Sequence, residues 1–297
     1  MCVTCGCSGP GAALPTDPVG EQTGTAAVGG WHTHADGTSH THAHEQAHAH
    51  APDTSPDTSP DTSLVNGDAA MQHAQLHGRT VRLEQDLLAK NQLLAERNRG
   101  WFAGRDVLAL NLVSSPGSGK TSLLERTIRD LQGRIAIGVI EGDQATANDA
   151  QRIRAAGANA VQINTGTGCH LDADMVARGL AQLRPAQGSV VMVENVGNLV
   201  CPALFDLGEH AKVLVLSVTE GEDKPLKYPH MFRAAKLMLL NKIDLLPHLR
   251  FDVDQCIACA RQINPEIEIL QVSAQTGEGM PAWYEWIAQR MTQMVTR

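Results

Sequence analysis

The sequence predicts an α/β fold built on a mainly parallel sheet with helices on both faces, and two observations carry that reading. From residue 105 onward, apolar runs too continuous for half-solvated strands alternate with segments of helical periodicity. The run Ser114-Ser115-Pro116-Gly117-Ser118-Gly119-Lys120-Thr121 follows the first of these apolar runs and opens the helix-like Ser122-Leu123-Leu124-Glu125. Strand, glycine-rich loop and helix in that order are the start of a parallel α/β sheet. The expected strands are Val107 to Val113, Ile135 to Ile140, Ala160 to Ile163, Val190 to Val193, Val213 to Val218, Leu237 to Leu240 and Ile267 to Val272. Helices are expected between them, over Asn148 to Ala156, Leu171 to Leu183 and Val253 to Ile263.

Three regions of different composition precede or form this core. Residues 1–68 consist largely of Gly, Ala, Thr, Pro, Asp and His, so burial there cannot offset the entropy of ordering and a disordered tail is expected. In residues 69–104, Leu76, Val81, Leu83, Leu87, Leu88, Leu93 and Leu94 recur at roughly helical spacing among charges. They predict one or two amphipathic helices, packed on the core or against a second copy. Residues 105–297 form the α/β domain. The net charge of -8 argues against a nucleic-acid or membrane partner. No run approaches the length of a membrane span and the N-terminus has no signal-peptide pattern, so a cytoplasmic protein is expected. In that reducing setting the seven cysteines read as metal ligands or inert thiols rather than disulfides.

The glycine-rich loop is suited to phosphate. Backbone amides of Gly117, Ser118, Gly119, Lys120, Thr121 and Ser122 can cradle phosphate oxygens at a helix N-terminus, Lys120 can reach the β- and γ-phosphates, and the Thr121 hydroxyl can hold Mg²⁺. Ser114 stands where the strict motif has glycine, yet Gly117 and Gly119 still permit close backbone approach. Asn241-Lys242-Ile243-Asp244 follows the strand ending at Leu240 and offers a carboxylate to N1–H and the exocyclic amine of guanine. Adenine would leave Asp244 buried and unpaired, so GTP and GDP are expected rather than ATP. Ser273-Ala274 is placed for the Ala274 amide to meet the guanine carbonyl. Together these motifs predict a P-loop GTPase domain. Acidic residues end two strands, Glu141-Gly142-Asp143 and Glu194-Asn195-Val196-Gly197, and are suited to Mg²⁺ or to orienting water. Lys120, Asp143 and Glu194 are the candidate catalytic residues, with a direct Mg²⁺ contact favoured for Asp143 over Glu194. No obvious catalytic glutamine or arginine finger is supplied in cis, so slow intrinsic hydrolysis is expected.

Thiols and imidazoles form further candidate sites. Cys2, Cys5 and Cys7 lie within six residues, a compact chelate for Ni²⁺, Zn²⁺ or Cu⁺. His32, His34, His40, His42, His44, His48 and His50 are spaced irregularly and suit a metal buffer without fixed geometry. The repeat Pro52-Asp53-Thr54-Ser55, given three times through Ser63, is a stiffened spacer. Cys169-His170 follows a predicted strand, and Cys201 lies four residues beyond Gly197. These three can converge on a metal, or Cys201 can be a small buried hydrophobe. Cys256 and Cys259 read as core thiols of a helix, and His210, His230 and His248 are isolated, with no ligand role expected.

Taken together, Cys-x-x-Cys-Gly-Cys at the N-terminus, the histidine tract, Ser-Ser-Pro-Gly-Ser-Gly-Lys-Thr, Glu-Gly-Asp-Gln, Thr-Gly-x-Gly-Cys-His, Glu-Asn-Val-Gly-Asn-Leu-Val-Cys-Pro and Asn-Lys-x-Asp resemble the HypB family of nickel-inserting GTPases. The resemblance implies a GTPase that dimerises on nucleotide, a tight nickel site at Cys2, Cys5 and Cys7, and a weaker nickel or zinc site at Cys169, His170 and Cys201 near the dimer interface. It further implies nickel transfer to a HypA-like metallochaperone and on to the hydrogenase large subunit. A urease-type nickel GTPase and a nickel-storage protein with a weak nucleotide domain are the alternatives.

Overall fold

The computed structural model describes residues 31–33, 39–41, 85–143, 148–166, 168 and 170–296. Within the unit spanning residues 8–75 the described residues are a short hairpin, β1 (Trp31–Thr33) antiparallel to β2 (Ser39–Thr41), which sets His32 opposite His40. Composition alone gave no sign of it. The Cys2, Cys5 and Cys7 chelate, the Pro-Asp-Thr-Ser spacer and most of the histidine tract lie outside the described residues.

The larger unit begins, among described residues, with helix α1 over residues 85–103. Then come β3 (Leu108–Ser114), α2 (Lys120–Leu131), β4 (Ile137–Asp143), α3 (Asn148–Ala155), β5 (Asn159–Asn164), α4 (Ala173–Leu183), β6 (Val190–Glu194) and α5 (Cys201–Leu204). The second half holds β7 (Ala211–Ser217), α6 (Lys224–Lys227), α7 (Pro229–Ala234), β8 (Ala235–Asn241), a 3-10 turn (Ile243–His248), α8 (Val253–Ile263), β9 (Glu268–Gln271) and α9 (Met280–Val295). The seven strands form one parallel sheet in the order β5-β4-β6-β3-β7-β8-β9. All seven expected strands are present. β4 runs past its apolar part through Glu141 to Asp143, because those polar residues still pair with Gln162 to Asn164 of β5.

Alternation along β3 explains how both sheet faces are covered. Leu108, Leu110 and Leu112 face a core closed by Leu123, Leu124 and Ile128 of α2 and Trp283 and Ile287 of α9. Val107 and Ala109 face the other side, against Phe102 of α1 and Val176 and Leu180 of α4. A third cluster joins Leu214, Leu216 and Leu240 to Phe232 and Cys256. Asn111, on the same side as Ala109, is fully buried, a polar group inside an apolar layer.

Helix α1 packs differently from the leucine pattern. Leu87 and Leu93 are 53% and 75% exposed, whereas the buried seam is Asn91, Ala95, Asn98 and Phe102. Asn91 Nδ2 donates to the Asp206 carbonyl at 2.7 Å and its Oδ1 accepts from the Ala173 amide at 2.9 Å. Asn98 Nδ2 donates to the carbonyls of Ala173 at 2.8 Å and Leu207 at 3.0 Å. Amide groups can satisfy the start of α4 and the loop before β7 where a leucine would leave backbone polar atoms unpaired.

Candidate nucleotide and metal site

The phosphate loop links β3 to α2 at the carboxyl ends of the strands, where parallel sheets bind ligands. Gly119 has φ +92°, and a Cβ there would stand 2.6 Å from Asn241 Nδ2. Both backbone and space therefore demand glycine. Asn241 uses that closeness: its Nδ2 donates to the Ser118 carbonyl at 2.9 Å, and its Oδ1 accepts from the Ala274 amide at 3.2 Å. Lys242, itself left-handed at φ 65°, donates from Nζ to the Gly117 carbonyl at 2.6 Å. Ser273 Oγ donates to Asp244 Oδ1 at 2.5 Å and accepts from the Thr276 amide at 3.0 Å. The structure thus brings the predicted phosphate and guanine residues into one hydrogen-bonded assembly. The Ala274 amide, expected to meet the guanine carbonyl, is held here by Asn241.

At the other side of the loop lie the carboxylates. Glu194, the last residue of β6, accepts from Thr121 Oγ1 at 2.7 Å and pairs with Lys120 Nζ at 3.3 Å. Register places Glu141 of β4 directly opposite it. Burial, and then the neighbouring Glu194 carboxylate, push the Glu141 carboxyl up to about 10, so it keeps its proton at neutral pH. Oε2 of both residues is buried without a hydrogen-bond partner. A bound cation would displace the Glu141 proton, and the freed carboxylate oxygens beside the Thr121 hydroxyl form an all-oxygen donor set that fits Mg²⁺. The sequence ranks Asp143 above Glu194 for the metal; among described side chains it is Glu194 that meets Thr121. β3 and β6 pair with Leu112 opposite Glu194, which delivers that carboxylate to the loop. Asp143 ends β4, and its side chain lies outside the described set. The sequence names Glu141 within that acidic strand end without ranking it among the catalytic candidates, and it is the register against Glu194 that brings it to the site.

The segment after Glu194 runs against the loop and then turns to His170. A Cβ on Gly197 would approach Pro116 Cα and N to 3.2 Å, so the two loops touch backbone to backbone. Asn195, almost fully buried, accepts at Oδ1 from the Leu171 amide at 3.1 Å and donates from Nδ2 to Asn111 Oδ1 at 3.2 Å. Asn111 in turn donates to Glu209 Oε1 at 3.1 Å, and Lys212 pairs with the same oxygen at 2.8 Å. The His170 ring lies 3.9 Å from that of Phe205, centroid to centroid, one residue beyond α5. Burial holds the His170 imidazole below its usual range, with Asp172 acting in the opposite sense. Cys201 opens α5 and is 1% exposed. Cys169 lies outside the described residues, among which no cluster of three metal-ligating side chains occurs. Cys256 and Cys259 are buried in α8, and burial pushes the Cys256 thiol up to about 12, as expected of core thiols. His210 accepts the Ala109 amide at Nδ1 and packs on Phe102, a structural use.

Residues 108–271 match the family described as CobW/HypB/UreG, nucleotide-binding domain. The chain is 63% identical over 209 residues to the hydrogenase maturation factor HypB of Escherichia coli (strain K12), covering 70% of this chain and 72% of that one. The chain belongs to the HypB family. It is also 34% identical over 237 residues to the hydrogenase/urease maturation factor HypB of Helicobacter hepaticus, covering 78% of this chain and 96% of that one. Among solved structures it resembles HypB from Archaeoglobus fulgidus, with TM-score 0.64, 39% identity and 68% of this chain matched to 99% of that one. HypB from Helicobacter pylori in complex with nickel gives TM-score 0.65 and 34% identity over 69% of this chain and 96% of that one. The HypB family and the P-loop together make this a nucleotide-hydrolysing domain of the GTPase type. No helix among the described residues is long and apolar enough to cross a membrane.

Proposed function

We propose that this chain is a GTP-hydrolysing nickel metallochaperone that binds, stores and delivers Ni²⁺ for assembly of the [NiFe]-hydrogenase active site, with nucleotide state gating the transfer. The observation that carries the gating is Asn195, whose side chain joins the strand end beside Lys120 and Thr121 to the amide next to His170. Asp244 binds guanine, the loop amides and Lys120 bind the phosphates, and Thr121, with Glu141 or Asp143, would hold Mg²⁺. That ion, when bound, neutralises charge on the phosphate oxygens. Lys120 and Thr121 are then drawn from Glu194 towards the nucleotide. Glu194 is released to orient the attacking water, and hydrolysis of GTP to GDP and phosphate returns it. Each shift of Glu194 moves Asn195 and, through the Leu171 amide, the Cys169-His170 segment relative to Cys201. A site made of those three ligands, with nickel or zinc as its cargo, would change affinity as the nucleotide changes.

In this reading Cys2, Cys5 and Cys7 hold nickel tightly, the histidine tract stores it, and a homodimer passes it to a HypA-like metallochaperone and the hydrogenase large subunit in the cytoplasm at slow turnover. A wider role that includes urease is favoured by one observation, the likeness to the Helicobacter hepaticus protein. The test uses the full chain with Cys2, Cys5 and Cys7 replaced by serine, titrated with Ni²⁺ in GDP and in a non-hydrolysable GTP analogue. Gating predicts different affinities in the two nucleotides, with the difference lost in Asn195→Ala. Equal affinities before that substitution would overturn it.

A further inference from the structure

Between the C-terminal halves of α1 and α4 lies a cavity of about 610 Å³, in the range of pockets that enclose a ligand. Leu180, Ala177, Ala181 and the half-buried Trp101 supply its apolar lining, and Arg97, Arg105 and Arg184 its charge. Other arginines on the same two helices are neutralised: Arg99 pairs with Asp206 and Glu96, and Arg178 with Asp174. The three exposed guanidiniums at the cavity form no ion pair with any described carboxylate. Arg105 lies over the Trp101 ring, 5.0 Å from its centroid. Arg184 caps α4 in the left-handed conformation, φ 46° and ψ 57°, where helices commonly place glycine.

The chemistry of an occupant follows from this lining. Arg97 lies within α1, Arg105 in the turn beyond its end and Arg184 at the end of α4, so their charge comes from three separate places around the cavity rather than from one phosphate-sized cluster. The apolar surface between them calls for a hydrocarbon side chain. A long polyanion would meet the repulsion of a chain with net charge -8, whereas a short segment would engage only the local positive patch. We propose that this groove docks an acidic peptide segment of a partner protein, its carboxylates on the three arginines and an apolar side chain against Trp101 and Leu180. The proposal goes beyond the nucleotide and nickel reading and does not rest on it. Arg105 and Arg184 precede β3 and β6, at the strand ends opposite the phosphate loop, so docking leaves the nucleotide site open. Asn98, in the wall of the groove, ties α1 to the first residue of α4 through the Ala173 carbonyl.

The test is calorimetric titration of the full chain, saturated with GDP, with a synthetic ten-residue peptide that alternates glutamate and serine around a central leucine. Two controls are its glutamine counterpart and inorganic phosphate. Docking predicts saturable binding of the acidic peptide that weakens with salt and is lost in the glutamine version. The double variant Arg97→Glu/Arg184→Glu, both positions exposed, should bind at least roughly tenfold more weakly, as expected for two reversed surface pairs. Ala181→Trp, which fills the groove from a helical surface position without changing its charge, should weaken binding as well. Equal binding by the charge-reversed variant, equal binding of the glutamine peptide, or no saturation up to about 1 mM would overturn the proposal. Phosphate displacing the peptide completely at matched concentration would overturn the peptide assignment in favour of a small-anion site.

Discussion

The two ends of the nucleotide site are built on opposite terms. On the guanine side, Asn241, Lys242, Asp244 and Ser273 all have hydrogen-bond partners before any ligand arrives, and they are braced against the loop that holds the phosphates. On the switch side, Glu141 and Glu194 crowd two carboxyls together with an unpartnered buried oxygen on each. A region whose polar groups are satisfied is rigid, and its energy is spent on discrimination. A region left unsatisfied has its lowest energy elsewhere, once a cation or a shifted hydrogen bond supplies what is missing. The contrast teaches that recognition of the base and sensing of the phosphates are separable, and substitutions should separate them.

The largest expected effect is on the braced side. Asp244→Asn removes the two charge-assisted hydrogen bonds expected to guanine and should weaken GTP binding roughly 10³-fold, about 4 kcal/mol, while improving xanthosine triphosphate binding. Titration with both nucleotides checks it, and unchanged GTP affinity would refute the guanine assignment. Glu194→Gln should leave GTP binding within about a factor of ten and cut single-turnover hydrolysis roughly 10²-fold. If both fell together, the two ends would not be separable.

Glu141 gives a pH dependence of definite sign. Its carboxyl is raised in the folded protein, so folding holds a proton that the unfolded chain releases near the ordinary carboxylate range. That contribution is fully present below the unfolded pKa of about 4.3 and is lost as pH rises towards about 10. Without Mg²⁺ or nucleotide, the melting temperature should therefore decline between mildly acidic and mildly alkaline pH, and Glu141→Gln should flatten the decline. The smallest change expected is Ser273→Ala, which loses one side-chain brace on Asp244 and should cost about 1 kcal/mol of GTP affinity with hydrolysis of bound GTP unaltered.

Much of this was legible in the sequence because it depends on local pattern. Strands buried on both faces must be continuously apolar, so all seven announced themselves. The loop from Ser114 to Thr121 and Asn241 to Asp244 carry their chemistry in consecutive residues. What escaped depends on partners far apart in the chain. Asn111 meets Asn195 across 84 positions and Glu209 across 98, and nothing beside Asn111 marks it as the polar member of an apolar strand. Glu141 reads as a strand end until register sets it against Glu194. The leucines of α1 misled for the same reason: periodicity marks a face, yet the surface that receives this helix offers backbone groups, and asparagines rather than leucines answer them.

The mounting of α1 gives that helix a particular way of coming loose. Water can replace the bonds of Asn91 and Asn98, and the first half of the helix hides little hydrocarbon whose wetting would oppose detachment, whereas Phe102 remains sunk in the core at the far end. Local opening should then start in the half of α1 that carries Asn91 and swing about Phe102, so that amide protons there exchange well ahead of those in the sheet.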